Sequence, residues 1–327
     1  ASVNFFVFHG GTSFGLCGAG ANLDYGPGGS DYRPQVTSYD YGGLLDEAGE
    51  VTEKYMQCRA VMAEYLNRPE LLKQEWKRSA RLPASPPLDL AGTLSLSEAL
   101  PSLQSSKTAT QSTLPLPAER IGGGYGYVLY RSVSTVTDKL PLQVNKDAVR
   151  DFASVMMGGK VLGTIYRNDK PPPPGLYHEL SLPAEGGRVE ILVDIMNRVN
   201  FGAAMRSERK GLLGSDSVTL GSFFTGPPRA VWGWENIPLS MQPEDMARLP
   251  WSSTSEGSAR NDVRGSRRGP RFFRFKLFVR EPADGFLDMT GGFVKGFVAV
   301  NGFNLGRYWK IGPQQSLYVP APLLRRG

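Results

Sequence analysis

The sequence predicts a β-rich chain in which one strand–loop–helix unit leads into antiparallel sandwich domains. Three observations carry this reading. Glycine (39) and proline (25) together approach a fifth of the 327 residues, which favours many turns over a helix bundle. Short apolar runs recur between residues 116 and 240, each closed by a glycine or proline turn. The chain also opens on an apolar β-run, Val3–Phe8, of the kind that a parallel sheet buries on both faces.

The elements follow in order. His9-Gly10-Gly11-Thr12 sits at the C-terminal end of the first run and opens a long loop, about residues 10–50, rich in Gly, Tyr, Asp and Ser. Asp46, Glu47 and Glu50 close the loop, and Thr52 is placed as the N-cap of a helix. Tyr55, Cys58, Met62 and Tyr65 recur at helical spacing and give that helix one apolar face. Residues 1–66 thus form one βα module. Residues 67–115 read as a linker, punctuated by Pro83, Pro86, Pro87, Pro101 and Pro115, with one strand-like run at Gly92–Leu96. A first β-sandwich domain is expected over 116–245. Its strands are Tyr125–Tyr130, Phe152–Met156, Lys160–Ile165, Leu176–Leu182 and Val189–Asp194. A second β unit is expected over 246–327, after a polar stretch at 250–270, with strands at Phe272–Val279, Gly296–Val300 and Leu317–Val319. It reads as unfinished at Gly327, and the start at Ala1 reads as a piece of something longer.

Composition narrows the chemistry. The apolar run Val189–Met196 is broken by Glu190 and Asp194, so no stretch reaches the roughly 18 residues of a membrane span. Two histidines and two cysteines leave too few ligands for the common zinc sites, and no metal or other cofactor is expected. Cys17 and Cys58 read as free thiols. The net charge of +6 permits attraction to anionic surfaces without demonstrating it. Arg260–Lys276 holds seven basic residues interleaved with Phe272, Phe273 and Phe275. No nucleic-acid fold signature accompanies it, so it reads as a solvated linker running into a strand, and no nucleic-acid partner is expected. Gly122–Gly126 leads into a strand and lacks the Lys-Ser/Thr of a phosphate loop.

The loop after the first run is the best place for function, because α/β folds carry their chemistry on loops that follow strands. His9, Thr12, Asn22, Asp24, Tyr25, Tyr39, Asp40 and Tyr41 all fall there. Phenols suit sugars: the ring packs on C–H faces while the hydroxyl donates or accepts. The plainer reading is that these tyrosines only pin a long loop. His9 could serve as a general base, but a histidine at a strand end more often holds a loop by hydrogen bonds. Asp40 lacks the facing carboxyl that glycoside hydrolysis requires and reads as structural.

Several collinear segments then bring a family into view. Phe8-His9-Gly10-Gly11-Thr12-Ser13-Phe14-Gly15 resembles the FHGGTNFG motif of the family 35 glycoside hydrolases, the β-galactosidases. Thr37-Ser38-Tyr39-Asp40-Tyr41, Glu47-Ala48-Gly49 and Thr52-Glu53-Lys54-Tyr55 continue the pattern. Tyr127–Arg131, Asn197–Gly202, Lys210-Gly211-Leu212, Val300–Trp309, Gly312-Pro313-Gln314 and Tyr318-Val319-Pro320 follow in the family's order. The resemblance spans nearly the whole chain and is closest to the animal lysosomal-type branch. Ser13 stands where the family carries Asn, and Gly42-Gly43 replace the residues that commonly follow the tyrosines.

The resemblance implies a fold and a function. Residues 1–66 would be the last βα unit of a (β/α)₈ TIM barrel, followed by galactose-binding-like jelly-roll or β-sandwich domains. The activity implied is retaining hydrolysis of terminal β-D-galactose from glycans or galactosides. The family's substrate-contacting tyrosine falls on Tyr41, with His9, Asn22, Tyr39 and Asp40 shaping the loop. The family's acid/base glutamate lies in a Q-x-E-N-E run that this chain lacks; the nearest string, Trp234-Glu235-Asn236-Ile237, sits in a β domain. Neither catalytic glutamate falls within the chain, so the segment alone is expected to be inactive. Its partners would be galactose-terminated glycans, the missing N-terminal barrel segment and, left open, a second copy of itself. Lysosomal, vacuolar or extracellular placement follows from the family only. The alternative is a non-catalytic carbohydrate-binding or structural sandwich module.

Overall fold

The computed structural model describes residues 3–26, 29–84, 88–104, 109–137, 140–169, 177–221, 228–251 and 269–327. The chain divides into two compact units. One is built from Ala1–Ala19, Gln35–Asp89 and Lys276–Gly327, the other from Gly20–Pro34 and Leu90–Phe275.

The larger unit is an antiparallel sandwich. A six-stranded sheet runs in the order Thr110–Ser112, Trp234–Leu239, Gly126–Ser132, Val189–Ile195, Phe152–Met157, Lys160–Tyr166. A four-stranded sheet runs Tyr177–Leu180, Leu142–Asn145, Val218–Leu220, Arg229–Ala230. Strand periodicity explains the packing between them. Val128, Tyr130, Ile191, Val193, Ala153 and Val155 alternate along the larger sheet and share one core with Leu142, Val144, Val218 and Leu220 of the smaller. The residues between them, Leu129, Leu192, Ile237 and Met156, face the other way. That second face is covered by the helix Leu96–Leu103 through Leu96, Ala99, Leu100 and Leu103. A sheet buried on both faces reads as a nearly continuous apolar run, which is why Val189–Ile195 shows so little alternation.

The five strands expected in 116–245 are all present to within a few residues. The helix at Leu96–Leu103 is an addition to the sequence reading, which ended a strand at Leu96. Its start is a capping box: the Ser95 hydroxyl accepts from the Glu98 N–H while the Glu98 carboxylate accepts from the Ser95 N–H. Its four buried side chains lie at i, i+3, i+4 and i+7. A second addition lies inside the long loop. Ala21–Gly26 and Gly29–Pro34 form a hairpin, and Ala21–Gly26 pairs in parallel with Val199–Phe201. The short apolar positions Ala21, Leu23 and Tyr32, each buried, are spread too thinly among glycines and acids to announce a strand.

The other unit has a small β core. Gly285–Asp288 pairs with Ser316–Val319, and Lys295–Val300 pairs with Phe303–Trp309. The turn between the latter two is Asn301-Gly302, both at positive φ (50° and 86°), the primed hairpin turn that Asn-Gly favours. Leu305, Tyr308, Leu317, Val319, Val279, Met289 and Leu324 fill the core, with Phe14 packed against it. The expected helix is present at Glu53–Tyr65, capped by Thr52, whose hydroxyl accepts from the Tyr55 N–H. Its apolar face is only partly covered: Ala63 alone of its side chains is buried, and Tyr65 is exposed.

Val3–Phe8 departs from expectation. It carries no strand, and Val3, Phe6 and Phe8 are 66%, 81% and 48% exposed. A doubly buried strand exists only where neighbours supply ladder partners and two covering layers. Among the described residues none pairs with 3–8 as a ladder, so the apolar sequence stays irregular. The basic stretch expected as a linker falls outside the described residues over 252–268; its end forms the strand Arg271–Lys276, paired with Asp89–Ser95. Cys17 and Cys58 are both free. Among the described residues no helix is long and apolar enough to cross a membrane.

Candidate functional site

Two segments of the smaller unit build the candidate site. Gly10–Phe14 and Thr37–Tyr41 run side by side, joined by an antiparallel bridge between Thr12 and Ser38. The Ser13 N–H donates to the Thr37 carbonyl at 2.7 Å, and the Tyr39 N–H donates to the Gly11 carbonyl at 2.9 Å. Glycine is required at position 10, because a Cβ there would stand 1.4 Å from the Tyr39 carbonyl oxygen.

The tyrosine arm ends in a tight turn. The Gly43 N–H donates to the Asp40 carbonyl at 2.9 Å and to its carboxylate at 3.2 Å. The two central residues, Tyr41 and Gly42, have φ of 47° and 60°. A bulky residue at positive φ is uncommon and persists only where its surroundings hold it. The turn lifts Tyr41 out to 62% exposure. Its ring stands 4.7 Å from that of Tyr39 at 60° and 6.5 Å from that of Phe6 at 58°. The Gly42-Gly43 departure noted in the sequence serves this geometry: Gly42 takes the second left-handed position, and a Cβ at Gly43 would crowd the Asp40 carbonyl at 3.3 Å.

The structure brings His9, Thr12, Tyr39, Asp40 and Tyr41 together on these arms. His9 is exposed. Asn22 is not on them: it lies in the Ala21–Gly26 strand, opposite Arg33 and Phe201, in the sandwich unit. Asp24 and Tyr25 share that strand. The carboxylates of the arms are taken up in the local fold. Asp40 holds the turn, and Asp46 accepts from the N–H groups of Ala48 and Glu50. Glu47 accepts from the Thr12 hydroxyl at 2.7 Å. Burial pushes the Glu47 carboxyl above its usual range; Asp40 and Asp46 add to the rise, and the Thr12 bond opposes it. Among the described residues no group of His, Cys, Asp and Glu is arranged to hold a metal ion. The site therefore offers aromatic faces and hydroxyls for contact, with its carboxylates engaged in shaping the backbone.

Sequence reasoning missed a second cluster, in the sandwich unit. Asp151, Arg167 and Lys210 are each almost fully buried. Lys210 Nζ lies 2.8 Å from both Asp151 carboxylate oxygens, and Arg167 lies 2.8 Å from Oδ1. Glu208 takes a further bond from Arg167 at 2.5 Å. Tyr32 of the hairpin sits among these charges, with both cations 4.4 Å from its ring centroid. Its hydroxyl donates to the Asn197 carbonyl at 2.5 Å and accepts from the Asn197 N–H at 2.9 Å. Burial raises the Tyr32 hydroxyl well above its usual pKa, helped by Asp151, and burial also lowers that of Lys210. The only sequence signal was the Lys210-Gly211-Leu212 string, which carries no hint of its partners.

An antiparallel sandwich, a second β module and an exposed tyrosine turn define a multidomain β protein with an aromatic contact loop. Three family models match it in succession: glycosyl hydrolases family 35 over residues 1–65, the first all-β domain of β-galactosidase over 115–238, and the β-galactosidase galactose-binding domain over 270–327. The chain is 36% identical over 97% of its length to a β-galactosidase of Xanthomonas manihotis. It is 31% identical over 99% to one of Bos taurus, and 32% identical over 100% to a human β-galactosidase-1-like protein 2. It covers 47%, 47% and 46% of these relatives, so it spans about half their length. Segment by segment, then, the chain is similar to the family 35 glycosyl hydrolases and to the β domains of β-galactosidase.

Proposed function

We propose that this chain is the C-terminal part of a retaining β-galactosidase that removes terminal, non-reducing β-D-galactose from glycans or galactosides. Tyr41 contacts the galactose, and Tyr39, Asp40 and His9 shape the loop. Residues 1–66 supply the last strand, loop and helix of a TIM barrel, and residues 116–245 and 246–327 form two β-sandwich domains. The observation that carries this reading is the tyrosine pair on its primed turn, with Tyr41 exposed on a strained backbone. Retaining hydrolysis needs two carboxyl groups about 5–5.5 Å apart, one as nucleophile and one as acid/base. The carboxylates beside Tyr41 are bound to backbone and to Thr12. The catalytic pair therefore belongs to barrel strands outside this chain, and the exposed Val3–Phe8 run takes its ladder partners from them. Lysosomal, vacuolar or extracellular placement accords with this activity.

The test is galactose release from a chromogenic β-galactoside. A longer polypeptide carrying the barrel is expected to release it, and Tyr41→Ala in that polypeptide to lower kcat/KM at least tenfold. Release by the 327-residue chain alone would overturn the reading.

A further inference from the structure

The match of residues 270–327 to a galactose-binding domain invites a sugar site of its own. The contacts of this segment point elsewhere. Thr37, fully buried, donates its hydroxyl to the Arg307 carbonyl at 2.7 Å and accepts from the Arg307 N–H at 3.0 Å. One side chain thus occupies both main-chain positions that a neighbouring strand would fill. The next residue is held in the same way from the other side: the Ser38 N–H donates to the Gln314 side-chain carbonyl at 2.9 Å. The Gln314 amide is oriented by donating its Nε2 to the Ser316 carbonyl at 2.6 Å. The opposite arm is held by the same segment. The Gly15 N–H donates to the Asn304 carbonyl at 3.0 Å, Arg307 Nη1 donates to the Leu16 carbonyl at 2.6 Å, and Phe14 packs edge-on to Phe303 at 5.0 Å. Glycine at 306 makes the approach possible, since a Cβ there would lie 2.6 Å from the Thr37 methyl.

We propose that the Asn304–Gln314 segment is a splint for the tyrosine turn, with Thr37 and Gln314 as positioning residues that set Tyr41. The geometry requires little more. Thr37 lies four positions before Tyr41, and the turn is otherwise held by the Asp40–Gly43 and Tyr39–Gly11 bonds and by Lys54 Nζ, which donates to the Gly42 carbonyl at 2.6 Å. A backbone at positive φ needs fixed flanks to hold it. A shift at Thr37 or Ser38 therefore carries directly into the ring positions. This inference rests on the galactose reading only for what Tyr41 touches; the splint itself is a property of the fold.

The experiment separates the two. In the 327-residue chain, amide exchange of Tyr39 and Gly43 is measured for Thr37→Val and Gln314→Ala, and for the conservative Thr37→Ser. The first two variants should exchange at least tenfold faster at both amides, and Thr37→Ser should stay within twofold of the parent. Exchange of the cross-strand amides of the Lys295–Trp309 hairpin, other than that of Arg307, should not change. Gln314 lies at the edge of the core, so its variant carries the test if Thr37→Val loses the hairpin as well. Unchanged exchange in Gln314→Ala, or a rise in Thr37→Ser equal to that in Gln314→Ala, would overturn the splint. In an active longer polypeptide, Gln314→Ala should raise KM about tenfold with kcat within threefold, and Thr37→Ser should leave both within twofold. A longer polypeptide that never releases galactose would sink the galactose reading, while the exchange result stands or falls separately.

Discussion

The Ala21–Pro34 hairpin and the Thr37–Tyr41 arm are neighbours in sequence, yet they are anchored by different chemistry in different units. Tyr32 is seated among Asp151, Arg167, Lys210 and Glu208, all deeply buried. The tyrosine arm is held by neutral hydrogen bonds from Arg307 main chain and the Gln314 amide. The first anchor is strong only while every charge keeps its partner, because an unpaired buried ion bears its full desolvation cost. The second is individually modest but specific in geometry, since a hydroxyl and an amide must meet backbone groups at fixed spacing. One stretch of about twenty residues thus combines a charge-dependent seat with a geometry-dependent one.

Removing the central charge gives the largest expected effect. Asp151→Ala leaves Arg167 and Lys210 buried against each other with only Glu208 remaining, and should cost the sandwich unit about 3–5 kcal/mol. Urea unfolding of the sandwich would measure it. A loss under about 1 kcal/mol would mean that water reaches the cluster and that the two anchors do not differ in kind.

Gly10→Ala tests the neutral side. The added methyl meets main chain, the Tyr39 carbonyl, rather than a movable side chain. Overpacking of this kind costs about 1–3 kcal/mol, and here it should appear locally, as proteolytic sensitivity within residues 37–43. Tolerance of the methyl without loosening of the arm would show that the arms are not held as closely as described. Tyr32→Phe should cost about 1–2 kcal/mol, because it keeps the ring among the cations but leaves the Asn197 carbonyl and N–H without the hydroxyl. If it costs as much as Asp151→Ala, the hydroxyl and not the charges seats the hairpin.

The same contrast explains what the sequence shows in advance. The sandwich strands were legible because each is a compact apolar run between Gly or Pro turns, as at Phe152–Met157 and Val189–Ile195. The Glu53–Tyr65 helix was legible from its Thr52 cap. The Leu96–Leu103 helix was also written, in Ser95-x-x-Glu98 and its four apolar positions, but a proline-rich setting with Pro101 inside it masks the pattern. Val3–Phe8 shows the opposite failure: an apolar run states a propensity, and only partners turn it into a strand. At the site, Tyr39, Asp40 and Tyr41 stand out by residue type. What holds them does not: Thr37 meets Arg307 across 270 positions, and Asp151 meets Lys210 across 59. Both anchors use ordinary polar residues whose meaning depends on tertiary neighbours.

Glu47 offers the smallest and most selective probe, because it is a half-buried acid beside the neutral anchor. Its carboxyl is raised above the ordinary value of 4.5 chiefly by burial, with Asp40 and Asp46 adding to the effect. An acid whose folded pKa lies above its unfolded one binds its proton more tightly in the folded state, so stability falls as pH rises through that window. Below the unfolded pKa the penalty is absent; above the folded pKa it is complete. Glu47→Gln removes the charge and keeps an oxygen to accept from the Thr12 hydroxyl. The variant should match the parent in urea midpoint near pH 4 and exceed it slightly at pH 7, by less than any change expected above. An equal gain at both pH values would mean that packing, and not ionisation, is responsible. A loss at pH 7 would mean that the carboxylate, held by Thr12, supports the arm through its charge, and would bring the two anchors closer in kind than their geometry indicates.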